Sequence, residues 1–168
     1  LAGIRTRARF VVYGMHEAIL FAGDAAELMP YWVRRPHEEA LGTPGQVIIA
    51  DFDEFTMVGA GWKNPTAEGG RASMRFLDEA IADAKSGAID ALVTGPINKT
   101  AWHMAGYEFV GHTELLAARF KTRRVTMMFA GGPLKVALAS IHVPLFELRN
   151  LFTIGLVFQP IDLLHRAL

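Results

Sequence analysis

Three short segments of the sequence combine glycine or proline with a side chain that can bind a ligand. They are Val93-Thr94-Gly95-Pro96-Ile97-Asn98-Lys99, Gly111-His112-Thr113-Glu114 and Ile141-His142-Val143-Pro144-Leu145. Between them they carry a lysine, two histidines and hydroxyl groups, which can hold an anion, a metal ion or a transferable proton. Each segment is therefore a candidate part of a functional site, and each also has an ordinary structural explanation.

Lys99 follows the predicted strand Ala91–Thr94 across a Gly-Pro turn and falls in the first turn of the next predicted helix. A lysine is unfavourable there because the N-terminus of a helix carries a partial positive charge. An anionic ligand at the carboxyl edge of the sheet, where ligands bind in open α/β folds, would explain the position. The alternative is a solvated surface lysine after a tight turn, and this segment leaves both explanations open.

The two histidines have similar pairs of explanations. Thr113 is the predicted N-cap of a helix that runs to Phe120, and His112 lies just outside this cap, where backbone N–H groups can bind an anion. His142 directly follows the predicted strand Leu134–Ser140, a position typical of a metal ligand or a general base. The alternatives are a structural histidine beside a capped helix and a satisfied polar residue at a sheet edge.

The hydrophobic pattern predicts the elements that must position these side chains. Predicted strands cover residues 10–13, 46–52, 91–94, 125–129 and 134–140, and predicted helices cover 16–29, 67–86, 113–120 and a segment from 153 onward. Strand–helix–strand order at this spacing is typical of a parallel sheet covered by helices, and the Gly-rich turn at 130–133 predicts a hairpin. The predicted fold class is α/β, with a mostly parallel sheet and an antiparallel pair.

Composition excludes several classes of protein. Lys plus Arg and Asp plus Glu number 17 each, so net charge gives no reason to expect a nucleic acid or an anionic membrane as partner. No cysteine is present, which excludes disulfides and thiolate metal sites and fits a cytoplasmic location. No run of 18 apolar residues occurs, so we expect no membrane span.

Common nucleotide-binding motifs are absent in their usual forms. Gly59-Ala60-Gly61 supplies two glycines of a G-x-G-x-x-G motif, but Asn64 stands at the third position. Neither a G-x-x-x-x-G-K-[ST] phosphate loop nor a G-x-S-x-G nucleophile turn occurs. The sequence therefore disfavours a Rossmann dinucleotide domain, a kinase-type phosphate loop and a serine hydrolase.

Taken together, five segments resemble the 4-hydroxythreonine-4-phosphate dehydrogenase family. In order they are ALVTGPINK at 91–99, AG at 105–106, GHTELLA at 111–117, MMFAGG at 127–132 and LKVALASIHVPL at 134–145, and the match runs from about Phe10 to Leu168. The resemblance implies an isocitrate/isopropylmalate-dehydrogenase-like α/β/α fold. It also implies a cytoplasmic homodimer that uses NAD and a divalent metal (zinc, magnesium or cobalt). Such enzymes oxidise and decarboxylate 4-phosphooxy-L-threonine in pyridoxal 5'-phosphate biosynthesis.

The resemblance also implies roles for individual residues. His112 and Thr113 correspond to the family's substrate-binding pair, and His142 to the first of three metal-binding histidines. Lys99 would lie at the edge of the active site. No residue is assigned to acid–base catalysis or to NAD.

The chain also departs from the family pattern. The opening Gly-Asp-Pro-Ala-Gly-Ile-Gly-Pro segment, the other two metal histidines and the family's Lys, Asn and Arg substrate contacts do not occur in it. We therefore expect a fragment truncated at both ends, inactive by itself. It would hold an N-terminal α/β lobe at 1–105 without its first strand, and part of a second lobe at 106–168.

Three other functions fit parts of the pattern. Dehydrogenases of D-threonate or D-erythronate 4-phosphate, and of cis-dihydrodiols, share the GHT and HxPL motifs. Phosphate acyltransferases have a related sheet but lack the GHTE and HVPL pairing. A catalytically silent binding or dimerising fragment is the alternative from a different class.

Overall fold

The computed structural model describes residues 7–56 and 64–168, and the chain divides into two compact units, Leu1–Gly111 and His112–Leu168. The predicted lobe boundary after residue 105 stays a prediction. The Gly59-Ala60-Gly61 segment lies outside the described residues. Within the described ranges, none of the helices combines the length and the apolar character that a membrane span requires.

A parallel three-stranded sheet forms the centre of the first unit. Its strands are β1 (Phe10–Gly14), β2 (Val33–Pro36) and β3 (Val47–Asp51), arranged in the order β1-β3-β2. Gly14 and Pro36 both pair with Asp51, so the three strands end at the same level. The predictions of β1 and β3 are confirmed, whereas β2 was not predicted, because its Val-Arg-Arg-Pro sequence lacks an apolar run.

Helices of the first unit are α1 (His16–Ala25), α2 (Ala67–Ser86) and α3 (Lys99–Met104), with a 3-10 turn at His37–Glu39. The predicted bounds of α2 are confirmed: the Thr66 hydroxyl accepts the N–H of Gly69 at 3.0 Å, and Gly87 ends the helix with φ 77°. Helix α1 ends four residues before the predicted Met29, and Glu27 two residues later has a left-handed φ of 55°.

The core of this unit joins the sheet to α2, and α2 to α3. Ile48, Ala50 and Phe52 are fully buried with Ala40. Trp102 of α3 is also fully buried, and its indole N–H donates to the Ser73 hydroxyl at 3.2 Å. Apolar burial of this kind is the main stabilising contribution to such a unit.

The predicted strand Ala91–Thr94 is not formed. Residues 91–98 have no regular secondary structure, and Val93 is 90% exposed. A strand needs a neighbour that pairs its backbone N–H and C=O groups, and among the described residues no strand pairs with this segment. This prediction was wrong because an apolar run indicates a tendency to be buried but supplies no partner.

The second unit contains α4 (His112–Arg119), β4 (Met128–Gly131), β5 (Leu134–Ala137), α5 (Leu145–Leu151) and α6 (Ile154–Ala167). The predicted hairpin is confirmed: Met128 pairs with Ala137, and Gly131 with Leu134, in antiparallel register. Both strands are shorter than predicted. The start of α6 is confirmed, since the Thr153 hydroxyl accepts the N–H of Leu156 at 3.2 Å.

Candidate functional site

Lys99 is the first residue of α3 and is exposed, so its predicted position in the first turn of a helix is confirmed. The helix starts here because the Asn98 side chain accepts the backbone N–H of Ala101 at 3.0 Å. The predicted strand before it is missing. Lys99 therefore follows an irregular segment, and its assignment to an active-site edge stays a prediction.

His112 and Thr113 begin helix α4 and are both half-buried. The helix starts one residue earlier than predicted, so Thr113 lies in its first turn and the prediction that Thr113 is the N-cap was wrong. Leu115, three residues on from His112, is fully buried and anchors this turn to the second unit. The pair is thus held at the amino end of a helix, whose partial positive charge favours negatively charged ligands.

His142 lies in the turn between β5 and α5, with an exposed side chain and a left-handed backbone, φ 58°. The only other described non-glycine residues with positive φ are Glu27 and Lys121. This conformation costs about 1 kcal/mol or more for an L-residue, and such strain is concentrated at functional sites. Glu27 and Lys121 have the same conformation, so it does not by itself assign a function to His142.

A metal ion would find only part of its ligand set here. Among the residues that the structure describes, no group of three or more His, Asp or Glu side chains could hold an ion. His142 offers one exposed imidazole, a suitable donor for a divalent ion. The described residues therefore fit a chain that supplies one protein side chain, His142, to the coordination of a metal ion.

A second cluster of polar residues lies at the carboxyl edge of the sheet, and the sequence did not predict it. The Asp51 side chain is only 6% exposed, and its Oδ1 accepts the backbone N–H of His16 at 2.6 Å. Its Oδ2 accepts Nε–H of Arg34, also at 2.6 Å. One carboxylate thus joins β3 to the start of α1 and to β2.

This cluster borders a cavity of about 550 Å³. Its lining consists of Arg34, Arg35, Pro36, Glu39, Asp51 and Asp53. The one signal in the sequence was an aspartate directly after the apolar run Ile48-Ile49-Ala50, at the end of a predicted strand. The arginine partner of Asp51, Arg34, lies in β2, which the sequence did not predict.

Two other ionisable groups are perturbed by their surroundings. The pKa of Tyr13 is raised above its usual range, mainly by burial. A hydrogen bond of 2.6 Å, which the Tyr13 hydroxyl donates to Asp83 Oδ2, raises it further. In the second unit Arg124, followed by Arg166, lowers the pKa of Asp162 below its usual range. Tyr13 links β1 to α2, and Asp162 links α6 to the segment that precedes β4.

The fold is that of solved α/β dehydrogenases. A crystal structure of a 4-hydroxythreonine-4-phosphate dehydrogenase from Burkholderia phymatum superposes with a TM-score of 0.84 at 26% sequence identity, covering 96% of this chain and 49% of that one. The enzyme of the same name from Klebsiella pneumoniae shares the fold, with a TM-score of 0.75. The predicted fold class is therefore confirmed.

Sequence comparison identifies the family. The model of the pyridoxal phosphate biosynthetic protein PdxA matches residues 6–168. A 4-hydroxythreonine-4-phosphate dehydrogenase from Geobacter metallireducens is 41% identical over 98% of this chain. A D-threonate 4-phosphate dehydrogenase from Bordetella bronchiseptica is 37% identical over 84% of it. The chain belongs to the PdxA family, as the five segments indicated, and it spans about half or less of the length of these relatives.

Proposed function

We propose that this chain forms part of an NAD-dependent dehydrogenase that oxidises and decarboxylates 4-phosphooxy-L-threonine in pyridoxal 5'-phosphate biosynthesis. The observation that carries the proposal is the family match over residues 6–168, because it includes all three ligand-binding segments. The names of the relatives, which are dehydrogenases of phosphorylated hydroxy acids, support the same reaction class.

Within this proposal His112 and Thr113 bind the substrate. The substrate carries a phosphate and a carboxylate, and the amino end of α4 offers backbone N–H donors, an imidazole and a hydroxyl to such oxygens. Lys99 adds a positive charge at the edge of the site. These groups orient the substrate and leave the acid–base step and the NAD contacts to residues that we do not assign.

His142 contributes one ligand of the divalent ion. When bound, such an ion acts as a Lewis acid that polarises the substrate oxygen and stabilises the charge developing on it. The exposed imidazole of His142 supports this assignment. Zinc, magnesium and cobalt all remain candidates, since one imidazole does not select among them.

A chimera tests the proposed activity. This chain replaces the matched 169-residue region of the Geobacter metallireducens relative, which supplies the rest of the enzyme. We expect NADH formation on addition of 4-phosphooxy-L-threonine and metal, and none from the 168-residue chain alone. A folded chimera that binds metal but makes no NADH with this substrate would contradict the proposal.

D-threonate 4-phosphate is the second candidate substrate, favoured by the Bordetella bronchiseptica relative, which matches 84% of the chain. The same chimera, assayed with both substrates, compares the two candidates by kcat/KM. Turnover of D-threonate 4-phosphate alone would select this second function. Binding of either substrate without turnover would indicate a catalytically silent binding fragment.

We further propose that the whole protein works as a cytoplasmic homodimer. The absence of cysteine fits a reducing compartment, and many apolar side chains of the second unit are exposed in this chain, as a subunit contact would require. Sedimentation of the chimera tests the dimer, and a monomer with full activity would contradict it.

A further inference from the structure

We propose that the cavity at the carboxyl edge of the first sheet binds a small zwitterion of the amino-acid class. Neither His112 and Thr113 nor His142 lines this cavity. The cavity proposal therefore does not depend on the residues assigned to the dehydrogenase reaction. Carboxyl ends of parallel strands are where open α/β sheets bind ligands.

The anionic half of such a ligand would meet Arg34 and Arg35. Arg34 is half-exposed, but its Nε–H is fixed on the buried Asp51 carboxylate, which leaves the outer guanidinium edge free to turn to a ligand. Arg35 is exposed, and its Nη1 donates to the Arg34 carbonyl oxygen at 2.9 Å. Two guanidinium groups held in this way suit a carboxylate, which accepts paired N–H donors.

Charge balance requires a cationic group as well. Among the described residues the charged part of the lining consists of two arginines and three carboxylates, and one of these carboxylates, Asp51, is bonded to Arg34 and to the backbone N–H of His16. Together these are net negative, which disfavours a plain anion. A zwitterion matches both kinds of charge in the lining: its ammonium group would lie beside Glu39 and Asp53, and its carboxylate beside the arginines.

The size and exposure of the cavity fit the same class. About 550 Å³ lies within the range of roughly 300–1,000 Å³ that small-molecule sites occupy. Among the described residues the lining consists of five charged residues and one proline. A small polar ligand therefore matches it better than an apolar one.

Three related compounds test the ligand class in the 168-residue chain, with backbone amide chemical shifts as the readout. L-Serine carries both an ammonium and a carboxylate, L-glycerate has a hydroxyl in place of the ammonium, and ethanolamine lacks the carboxylate. We expect saturable shifts at Asp51 and Asp53 with L-serine, and binding of the other two weaker by roughly tenfold or more. Equal binding of L-glycerate, or no saturable shift with L-serine, would overturn the proposal.

Matched variants separate the two halves of the site. Arg35→Met should weaken binding of L-serine about tenfold, whereas Arg71→Met, at an exposed arginine outside the cavity, should leave it unchanged. Asp53→Asn should weaken binding of L-serine but not of L-glycerate, with Asp90→Asn as its control. Loss of L-serine binding in both controls would also overturn the proposal.

A last variant separates this site from the substrate pair. His112→Ala should leave L-serine binding unchanged, because His112 is not part of the cavity lining. If L-serine shifts were instead centred on His112 and abolished by His112→Ala, the ligand would belong to the proposed active site and the cavity proposal would fail. Failure of the chimera to make NADH has no bearing on either outcome.

Discussion

His142 combines an exposed imidazole with a backbone conformation, φ 58°, that most side chains avoid. In the chimera, His142→Ala should remove bound metal and lower turnover by more than roughly 100-fold, since even residues that only support metal ligands affect activity by 10–100-fold. Metal content by atomic emission and initial NADH rates measure both effects.

A glycine variant distinguishes the imidazole from the strained turn. His142→Gly relieves the backbone strain and still removes the ligand, so it should lose metal while the fold becomes no less stable. His165→Ala, at an exposed histidine of α6, is the control and should keep both metal and activity. Wild-type metal content in His142→Gly would contradict the assignment.

His112 should affect a different kinetic constant. His112→Ala in the chimera is expected to raise the substrate KM by about tenfold, because one charge-assisted contact contributes on the order of 1.5 kcal/mol. Metal content should stay unchanged, since His112 is not assigned as a ligand. Steady-state kinetics with 4-phosphooxy-L-threonine measure KM and kcat, and loss of metal together with kcat would show that the role was assigned wrongly.

Tyr13 gives a stability prediction that is independent of function. Its hydroxyl donates to the Asp83 carboxylate at 2.6 Å in a half-buried setting. Tyr13→Phe should lower the free energy of unfolding by about 1.5 kcal/mol, because a hydrogen bond to a charged group is lost. Urea unfolding measures the change, and Tyr107→Phe, which removes a hydroxyl that does not bond Asp83, is the control.

The same pair predicts a pH dependence. The pKa of Tyr13 is raised in the folded chain, first by burial and then by Asp83, whereas in the unfolded chain it lies at about 10. The folded state then holds this proton more tightly, so the contribution is fully present below about pH 10 and falls as the pH rises further. Tyr13→Phe should abolish this alkaline loss, and an unchanged loss in the variant would contradict the assignment.

Single residues also show what the sequence can and cannot predict. Lys99, His112, Thr113 and His142 could be proposed as site residues because they lie in short contiguous motifs, and their roles stay predictions. The Asp51–Arg34 pair was missed because its members are 17 residues apart and meet only through a strand pairing that local patterns do not contain. Contacts between distant segments depend on register, which a single sequence specifies only weakly.

At the scale of secondary-structure elements, Gly70 fixes how closely α2 and α3 approach. A Cβ atom placed on Gly70 would lie 2.0 Å from the carbonyl oxygen of Ala101, a backbone atom of α3. Gly70→Ala should therefore cost about 3 kcal/mol in unfolding free energy, at the upper end of the usual overpacking range, or prevent folding.

A neighbouring glycine provides the matched control for this prediction. At Gly69 the added Cβ would approach only the Thr66 hydroxyl, at 3.2 Å, so Gly69→Ala should change stability by less than about 1 kcal/mol. Chemical unfolding, or the soluble yield if Gly70→Ala does not fold, compares the two variants. Similar stability for both would mean that the helices separate easily.

Local signals predicted some elements better than others. The bounds of α2 could be predicted because its cap residue, apolar stripe and terminal glycine all lie in one stretch of sequence. The 91–94 strand was predicted from an equally clear apolar run, but no described strand pairs with it. Helices satisfy their own backbone groups, whereas strands depend on partners elsewhere in the chain.

For the whole molecule, the two units differ in how much apolar surface they bury. In the described part of the second unit, Leu115 and Pro160 are the only buried residues, whereas Phe146 is 92% and Ile154 89% exposed. We therefore expect the 168-residue chain to self-associate in a concentration-dependent way.

Sedimentation velocity of paired variants tests this expectation. Phe146→Ser combined with Ile154→Ser should shift the chain toward monomer, because two of the most exposed apolar side chains of the second unit are removed. Met29→Ser, at an 84% exposed residue of the first unit, is the control and should not change the association. A monomeric wild-type chain at all concentrations would contradict the prediction.

The Asp51 carboxylate restricts which amino acids its position accepts. Two N–H donors, from His16 and from Arg34, each take one of its two oxygen atoms. Asparagine has the same shape but only one oxygen, so its NH₂ group would face an N–H donor. Serine and threonine are too short to reach both donors, because each places a single oxygen atom one bond from Cβ. We therefore expect few substitutions of Asp51 to keep both hydrogen bonds.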